Sequence, residues 1–249
     1  TERLFRCDPA RYEVFVAFAG DEKNFVMRSE SADDVPNYYL AKLGKKVEAA
    51  EGEATRALTR KPITRFEDPT PQLREIEKRI VRYEREDGVP LSFELLLPPG
   101  YEEGTPLPTV LYAYPLEYSG LATAGQVRGS TQRFMRIWGP SHLYFLLRGY
   151  AVLDQTTMPM LGDPETTYDT FVPQLVADAK AAVAKAVEMG VADPQRIVEL
   201  LLRDLHRARA RRAHPGDGDR AGVGRAPLRL VPDRRRVRAF LNVHRRLRW

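Results

Sequence analysis

The feature that most constrains this sequence is an abrupt change of composition after Ile197. Residues 198–249 contain fifteen arginines, no lysine and five acidic residues, a net charge of +10, whereas residues 1–197 carry −5. The same segment lacks serine, threonine, tyrosine, isoleucine, glutamine and methionine, all of which occur before it. A segment so charged and so short of large apolar residues is predicted to form no apolar core of its own and to be poorly ordered or only locally helical.

Two interpretations of this basic tail are open. Arginine, alanine, glycine and proline have GC-rich codons, so an out-of-frame reading of a GC-rich gene after Ile197 would produce this composition, and we favour that reading. The alternative is a natural basic arm, such as Arg234–Arg238, that neutralises phosphates by releasing counterions. Base stacking would need aromatic side chains among the arginines, and the tail offers only Phe240 and Trp249. Nucleic-acid binding is therefore not predicted.

The first seventy residues have the pattern of antiparallel β-structure. Short aromatic or β-branched runs separated by charged turns predict three strands, at Tyr12–Phe18, Asn24–Arg28 and Tyr38–Leu43. Residues 49–60 are interpreted as weakly helical or loop-like. Pro69 and Pro71 favour extended backbone and predict a junction between residues 1–70 and the part that follows.

Residues 71–197 have the pattern of an α/β fold. Strands are predicted at Ile80–Arg85, Ser92–Leu97, Thr109–Tyr114 and Tyr150–Asp154, the first two joined by a turn at Asp87-Gly88. His142–Arg148 is compatible with a helix that Gly149 ends. The clearest helix runs from Thr170 to Met189, because seven apolar residues recur on one face: Phe171, Leu175, Val176, Ala179, Val183, Ala186 and Val187.

The ends of this helix carry matching signals. Asp169 or Thr170 can cap its start, and Gly190 is suited to the left-handed conformation that ends a helix. A further strand is predicted to follow Asp193–Ile197, which is the point where the composition changes. The fold class predicted for the chain is therefore α/β, preceded by an all-β unit.

Composition excludes several classes of protein. No run approaches the ~20 apolar residues that span a bilayer, so we expect a soluble protein without a membrane partner. The start at Thr1, without Met or a signal sequence, is interpreted as lying inside a longer protein; location in the cytoplasm, or in the periplasm or outside the cell if a signal was lost, stays open. The single cysteine, Cys7, rules out internal disulfides and is expected to be a buried bystander thiol.

No cofactor or metal site is predicted. Gly125 and Gly129 have the wrong spacing for a phosphate-binding loop, and no lysine follows them. The carboxylates of Glu102-Glu103 and of Asp163-Pro164-Glu165 are interpreted as loop charges that face water.

Several motifs recur in one known family, in the same order: Arg85-Glu86-Asp87-Gly88-Val89-Pro90-Leu91, Leu97-Pro98-Pro99-Gly100-Tyr101, Leu107–Pro115, Ala124–Ser130 with Arg133-Phe134, Gly149–Asp154 and Gly190–Ile197. The chain resembles serine peptidases of the prolyl-oligopeptidase family, and the motif Ala124–Ser130 resembles their glutamyl-endopeptidase-like branch. The resemblance extends over most of residues 1–197.

The resemblance implies a domain organisation and a chemistry. Residues 1–70 would be the end of a β-propeller, residues 71–197 the N-terminal part of an α/β-hydrolase domain, and residues 198–249 an aberrant tail. The family transfers the acyl group of a peptide substrate to a serine in a G-x-S-x-G turn. Tyr112 aligns with the tyrosine whose hydroxyl helps to stabilise the oxyanion, and it is the one candidate site residue of this chain.

The nucleophile itself is missing from the sequence. There is no G-x-S-x-G motif and no serine after Ser141, and the slot implied by the family's spacing holds Leu201–Leu205, where Arg203 cannot attack a carbonyl. The family's acid and histidine would lie beyond residue 249. His142 directly follows Ser141, which is not triad geometry, and it is interpreted as a helix-start or surface residue.

Two functions therefore stay open. The chain is either a fragment of a serine peptidase, inactive by itself, or a non-catalytic binding or regulatory protein with a polyanion-binding tail. Cleavage preference and oligomeric state cannot be deduced from the sequence.

Overall fold

The computed structural model describes residues 5–48, 54–127, 129–163, 165–201 and 238–239. These residues divide into two compact units. The described residues up to Glu75 and the segment Ser130–Gly139 form the first unit, and those of Ile76–Gly129 and from Pro140 onward form the second. The predicted junction at residue 70 precedes the short 3₁₀ helix Pro71–Glu75, at which the first unit's leading segment ends.

The first unit is a four-stranded antiparallel sheet in which each strand pairs with the next along the chain. Its strands are β1 (Tyr12–Ala19), β2 (Asp21–Glu30), β3 (Asn37–Glu48) and β4 (Ala54–Pro62). The core lies on one face of β2 and β3, where alternate residues point inward. It consists of Phe25, Met27, Ala41 and Leu43, against which Phe5, Tyr39 and Leu58 pack.

The three strands predicted in this unit are confirmed, but the interpretation of residues 49–60 is wrong from Ala54 onward. That segment pairs antiparallel with β3, with Leu58 opposite Leu43. Local propensity is weak there, and the partner strand decides the conformation because Leu58 gains a place against the core.

The segment Ser130–Gly139 belongs to the first unit through contacts with Arg74. The Arg74 guanidinium lies 3.7 Å from the centre of the Phe134 ring, and its Nη2 donates a hydrogen bond of 2.6 Å to the Met135 carbonyl. The chain therefore returns to the first unit at Ser130, after residues 76–129 of the second unit.

The second unit is a mixed sheet with the strand order β10-β9-β7-β8-β6-β5. Its strands are β5 (Glu77–Glu84), β6 (Pro90–Leu97), β7 (Leu107–Tyr118), β8 (Ala151–Leu161), β9 (Ala192–Leu201) and β10 (Arg238–Ala239). β5, β6 and β8 pair antiparallel, while β8, β7, β9 and β10 pair parallel. The four predicted strands are confirmed, and β8 is longer than predicted because its pairing with β7 continues to Leu161.

The helices of the second unit are α1 (Leu121–Ala124), α2 (Phe171–Glu188) and the 3₁₀ helices His142–Arg148 and Thr167–Asp169. Gly149 ends the 3₁₀ helix before it and Gly190 adopts the predicted left-handed conformation after α2, with φ values of 77° and 72°. Thr170 occupies the capping position of α2, as predicted, but its hydroxyl forms no capping hydrogen bond and instead accepts one of 2.9 Å from the Gln174 side chain.

One face of this sheet packs against α2 and forms the main core. Leu95, Leu111, Ala113 and Leu153 are at most 1% exposed there. On the helix the buried positions are Phe171, Asp178, Ala182 and Ala186. The sequence analysis did not identify Asp178 among these buried positions; it pairs with Arg85, which follows β5, as described below.

The basic tail predicted from residue 198 begins inside a strand. Residues 198–201 continue β9, and its pairing with β7 runs through Val110↔Val198 to Ala113↔Leu201. Apart from Arg238–Ala239, which pair with β9, the remainder of the tail lies outside the described residues.

Candidate functional site

Tyr112 lies on β7 with its side chain on the sheet face opposite α2. Its neighbours Leu111 and Ala113 both belong to the core beneath α2, and successive residues of a strand point to opposite faces. The predicted strand Thr109–Tyr114 continues to Tyr118, so Tyr112 lies in the middle of β7 and not near its C-terminal end. The ring is half-buried.

A β-bulge in β8 lies directly beside Tyr112. The pairing changes from Leu111↔Leu153 to Ala113↔Thr156, so that Asp154 and Gln155 together face the single residue Tyr112. Gln155 has a φ of 49°, the one positive value among the described residues other than glycine. Bulges redirect side chains and strained backbone is found at functional sites, and this bulge fixes the direction of Asp154.

His142 joins these two strands from the 3₁₀ helix. Its Nε2 lies 3.0 Å from Asp154 Oδ1, and its ring stacks on Tyr112 with centroids 3.4 Å apart and planes inclined by 12°. The Ser141 hydroxyl accepts a hydrogen bond of 3.2 Å from the Leu143 amide and thereby caps the helix at this point. His142 begins the helix, as predicted, and its side chain is 14% exposed.

The electrostatic surroundings favour the neutral form of Tyr112. Partial burial, and then the charge of Asp154, raise the pKa of the Tyr112 phenol. A second buried carboxylate, Glu94 of β6, is paired directly opposite Asp154 and faces the same side of the sheet. Tyr112 therefore keeps its proton at neutral pH and can act as a hydrogen-bond donor.

The backbone of Gly129 approaches this carboxylate pair closely. A Cβ atom at residue 129 would overlap the side chain of Glu94, so only glycine fits against it. The Gly129 backbone therefore lies beside Glu94, the residue of β6 that is paired with Asp154. Among the described residues no group of three or more His, Cys, Asp or Glu side chains is arranged to hold a metal ion.

A second buried polar cluster lies on the other face of the sheet, under α2. Asp178 Oδ1 accepts a hydrogen bond of 2.8 Å from Arg85 Nη1, and Arg85 Nε donates one of 2.7 Å to Asp87. Burial raises the pKa of Asp178 to about 7, although Arg85 opposes that shift. Burial, together with the charge of Asp178, also raises the pKa of the nearby phenol of Tyr83. This cluster ties α2 to the β5–β6 hairpin and serves the fold.

The other residues considered from the sequence lie on the surface. Glu103 pairs with Arg79 at 2.8 Å, and Asp163 accepts a hydrogen bond from the Glu165 amide, which agrees with their interpretation as loop charges. Cys7 is exposed, so the expectation that it is buried is wrong. No helix within the described ranges is long and apolar enough to cross a membrane.

Two curated relatives that match most of this chain have the same name. The chain is 38% identical over 202 residues to the probable chloroplastic glutamyl endopeptidase of Arabidopsis thaliana, and 37% identical over 209 residues to that of Oryza sativa subsp. japonica. This chain is a relative of the glutamyl endopeptidases. The resemblance to this branch of the prolyl-oligopeptidase family is therefore confirmed.

The chain matches only part of each of these glutamyl endopeptidases. It includes 79% of this chain in both cases, and the chain spans about a fifth of the length of these relatives, 20% and 21%. Among solved structures, oligopeptidase B from Trypanosoma brucei matches 80% of this chain and 26% of its own, with a TM-score of 0.44 and 18% identity. No protein-family model matches the chain.

Sequence reasoning reached Tyr112 but missed its two partners. His142 and Asp154 are separated by a helix and a turn, and only the sheet brings them next to β7. The available signal was the position of Asp154 at the end of the apolar run Ala151–Leu153, where a carboxylate needs a partner when it is buried.

Proposed function

We propose that this chain represents part of a serine peptidase of the glutamyl-endopeptidase type, which in complete form hydrolyses peptide bonds through an acyl-enzyme. The observation that carries this proposal is the 38% identity over 202 residues with a glutamyl endopeptidase. Because the chain spans about a fifth of that relative, the activity and the peptide substrate belong to the complete protein.

The strand order supports the domain organisation that we propose. In the second unit an antiparallel hairpin precedes parallel strands whose order departs from chain order, with α2 between β8 and β9, which is compatible with the first part of an α/β-hydrolase domain. The first unit is a four-stranded antiparallel meander, the shape of one blade of a β-propeller. We assign residues 1–70 to the propeller, 71–197 to the hydrolase domain and 198–249 to an aberrant tail.

In the complete enzyme, Tyr112 is proposed to donate its phenolic proton in a hydrogen bond to the oxyanion of the tetrahedral intermediate. Three features support this role: a half-buried position, a raised pKa and a fixed ring. A donor of this kind, fixed before the reaction, contributes about 3 kcal/mol to transition-state stabilisation. Loss of the hydroxyl in Tyr112→Phe should therefore slow acylation by about 10²-fold or more.

The chain as it stands is proposed to have no peptidase or esterase activity. Covalent catalysis needs a nucleophile, a base and a group that orients the base, and the sequence has no G-x-S-x-G motif to supply the first. The location of Glu199 supports an altered reading frame: it is paired with Leu111 in the sheet and shares its face, and burial raises its pKa. A carboxylate is an unfavourable residue at such a position.

Labelling with a fluorophosphonate probe tests both parts of the proposal. The purified chain should not react, whereas a chimera of residues 1–197 with the following segment of the Arabidopsis relative should be labelled at a stoichiometry near one. The matched control is the same chimera with its G-x-S-x-G serine changed to alanine. Specific labelling of the unmodified chain that is lost on denaturation would contradict its assigned inactivity, and a chimera that folds but resists labelling would contradict the peptidase assignment.

The alternative, a binding or regulatory protein with a basic arm, rests on the tail composition alone. It predicts binding of the full chain to heparin or polyphosphate with an affinity that falls steeply as salt is raised. The nucleotide sequence around codon 197 separates the two, because the peptidase proposal expects a G-x-S-x-G sequence in another frame just downstream.

A further inference from the structure

The contacts of His142 point to a role that the missing nucleophile does not affect. A half-buried tyrosine normally exchanges between rotamers and flips its ring, whereas an oxyanion donor must hold one direction before the reaction starts. The ring of Tyr112 is stacked face to face on the His142 ring, with 3.4 Å between the ring centroids. The imidazole therefore forms one wall of the space in which the phenol can move.

His142 is itself held at both ends. Its backbone begins a helix capped by the Ser141 hydroxyl, and its Nε2 is 3.0 Å from Asp154 Oδ1. Asp154 in turn lies on the bulge of β8, where the positive φ of Gln155 redirects the strand. The bulge fixes Asp154, Asp154 fixes the imidazole, and the imidazole fixes the phenol.

The groups around His142 and Asp154 do not indicate a metal-binding role for these two residues. The carboxylate of Glu94 is buried on β6 directly opposite Asp154, so two acidic groups lie side by side on this face. In the described part of the chain, no three or more His, Cys, Asp or Glu side chains are arranged to hold a metal ion. His142 provides Asp154 with a hydrogen-bond partner, and it presents its ring face to Tyr112.

We propose that His142, oriented by Asp154, is a positioning residue that holds Tyr112 in one conformation through ring stacking. The contribution of His142 to oxyanion stabilisation rests on the proposed function. The constraint of His142 on the conformation of Tyr112 does not depend on that function. His142 acts through Tyr112 and is assigned no proton transfer. The stacked ring, rather than the hydrogen bond to Asp154 alone, is the part that acts.

The full chain, labelled with 3-fluorotyrosine, tests the constraint directly. Of the eleven tyrosine signals in its fluorine NMR spectrum, that of Tyr112 is identified by its loss in Tyr112→Phe. His142→Gln keeps a group that can hydrogen-bond to Asp154 but removes the ring. The Tyr112 signal should shift and narrow in His142→Gln as in His142→Ala, whereas Tyr144→Ala, an exposed residue of the same helix, should leave it in place.

The chimera of residues 1–197 with the relative's following segment tests the catalytic consequence. His142→Gln should slow acylation on the order of ten-fold, and should have no additional effect once Tyr112 is phenylalanine, because it acts through that hydroxyl. An unchanged Tyr112 signal in His142→Gln, or equal slowing with and without the hydroxyl, would overturn the positioning role. An unreactive chimera would instead contradict the proposed function, and the fluorine spectrum would still decide whether His142 fixes Tyr112.

Discussion

Replacement of Asp178 by asparagine should remove a pH dependence from the stability of the second unit. Asp178 is 0% exposed beneath α2, where Oδ1 accepts a hydrogen bond from Arg85 and Oδ2 has no hydrogen-bond partner among the described residues. Arg85 divides its donors between Asp178 and the exposed Asp87, so it compensates the buried charge only in part. Burial outweighs the arginine and raises the pKa of Asp178 to about 7.

The sign and size of the effect follow from proton linkage. In the unfolded chain the pKa of an aspartate is about 3.9, so between about pH 4 and about pH 7 the folded protein keeps a proton that the unfolded chain has lost. The stabilising contribution of Asp178 is therefore complete below about pH 4 and is lost as the pH rises to about 7, by about 1.4 kcal/mol per pH unit. Asparagine does not titrate, so Asp178→Asn should lack this slope.

Urea denaturation, followed by far-UV circular dichroism at several pH values between about 5 and about 7, measures this slope. The informative quantity is the difference in free energy of unfolding between the wild-type chain and Asp178→Asn, because other groups, such as Glu199, titrate in both proteins. Asp87→Asn is the matched control. The hydrogen bond from Arg85 lowers the pKa of Asp87, which is exposed. The titration of Asp87 therefore changes the free energy of unfolding only slightly, and only below about pH 4.

A constant difference between wild type and Asp178→Asn over this range would refute the reasoning. It would mean that Asp178 is ionised at all these pH values, and that its attraction to Arg85 outweighs the cost of burial. A slope that persists in Asp178→Asn would assign the titration to another buried group, such as Glu199.

Two further changes test the backbone and the strand at which the composition changes. Gly190→Ala should lower the urea midpoint by an amount equivalent to about 1 kcal/mol, because the φ of residue 190 is 72°. Gly120→Ala should have little effect, since residue 120 has an extended φ of −158° and open space around its Cβ position. Equal midpoints for the two variants would contradict this prediction. Glu199→Leu should raise the thermal midpoint at neutral pH, because the leucine adds apolar burial that contributes about 1 kcal/mol to stability. Glu188→Leu, on the exposed side of α2, should not raise it. A lower midpoint for Glu199→Leu would refute the location of residue 199 in the sheet.

Much of the fold could be predicted because local signals agreed with the final packing. The Asp87-Gly88 turn joins β5 and β6 with Gly88 at a φ of 82°, and the segment that ends at Gly149 precedes a buried strand. The prediction failed at β4, whose sequence has little preference of its own. There the decision was made by pairing with β3 and by the place of Leu58 against the core, which sequence periodicity does not contain.

The candidate site was less predictable, since its parts come together only in three dimensions. Tyr112 was identified through resemblance to a family, and neither its stacking on His142 nor the bulge beside it has a local signature. Asp178 was overlooked for a related reason. It lies on the otherwise apolar buried face of α2 and is acceptable there only because Arg85, distant in sequence, reaches it.

The strand β9 shows how a sheet can continue past an abrupt change of composition. Strand pairing uses main-chain groups, and the apolar residues Ile197, Val198, Leu200 and Leu201 suit a parallel strand, so the register with β7 continues past the point at which the composition changes. The side chains are affected more than the backbone, because Glu199 is paired with Leu111 of the core and burial raises its pKa. An active site depends on such side chains far more than a strand does. In the described residues the sheet therefore continues to Leu201, although the sequence contains no G-x-S-x-G motif.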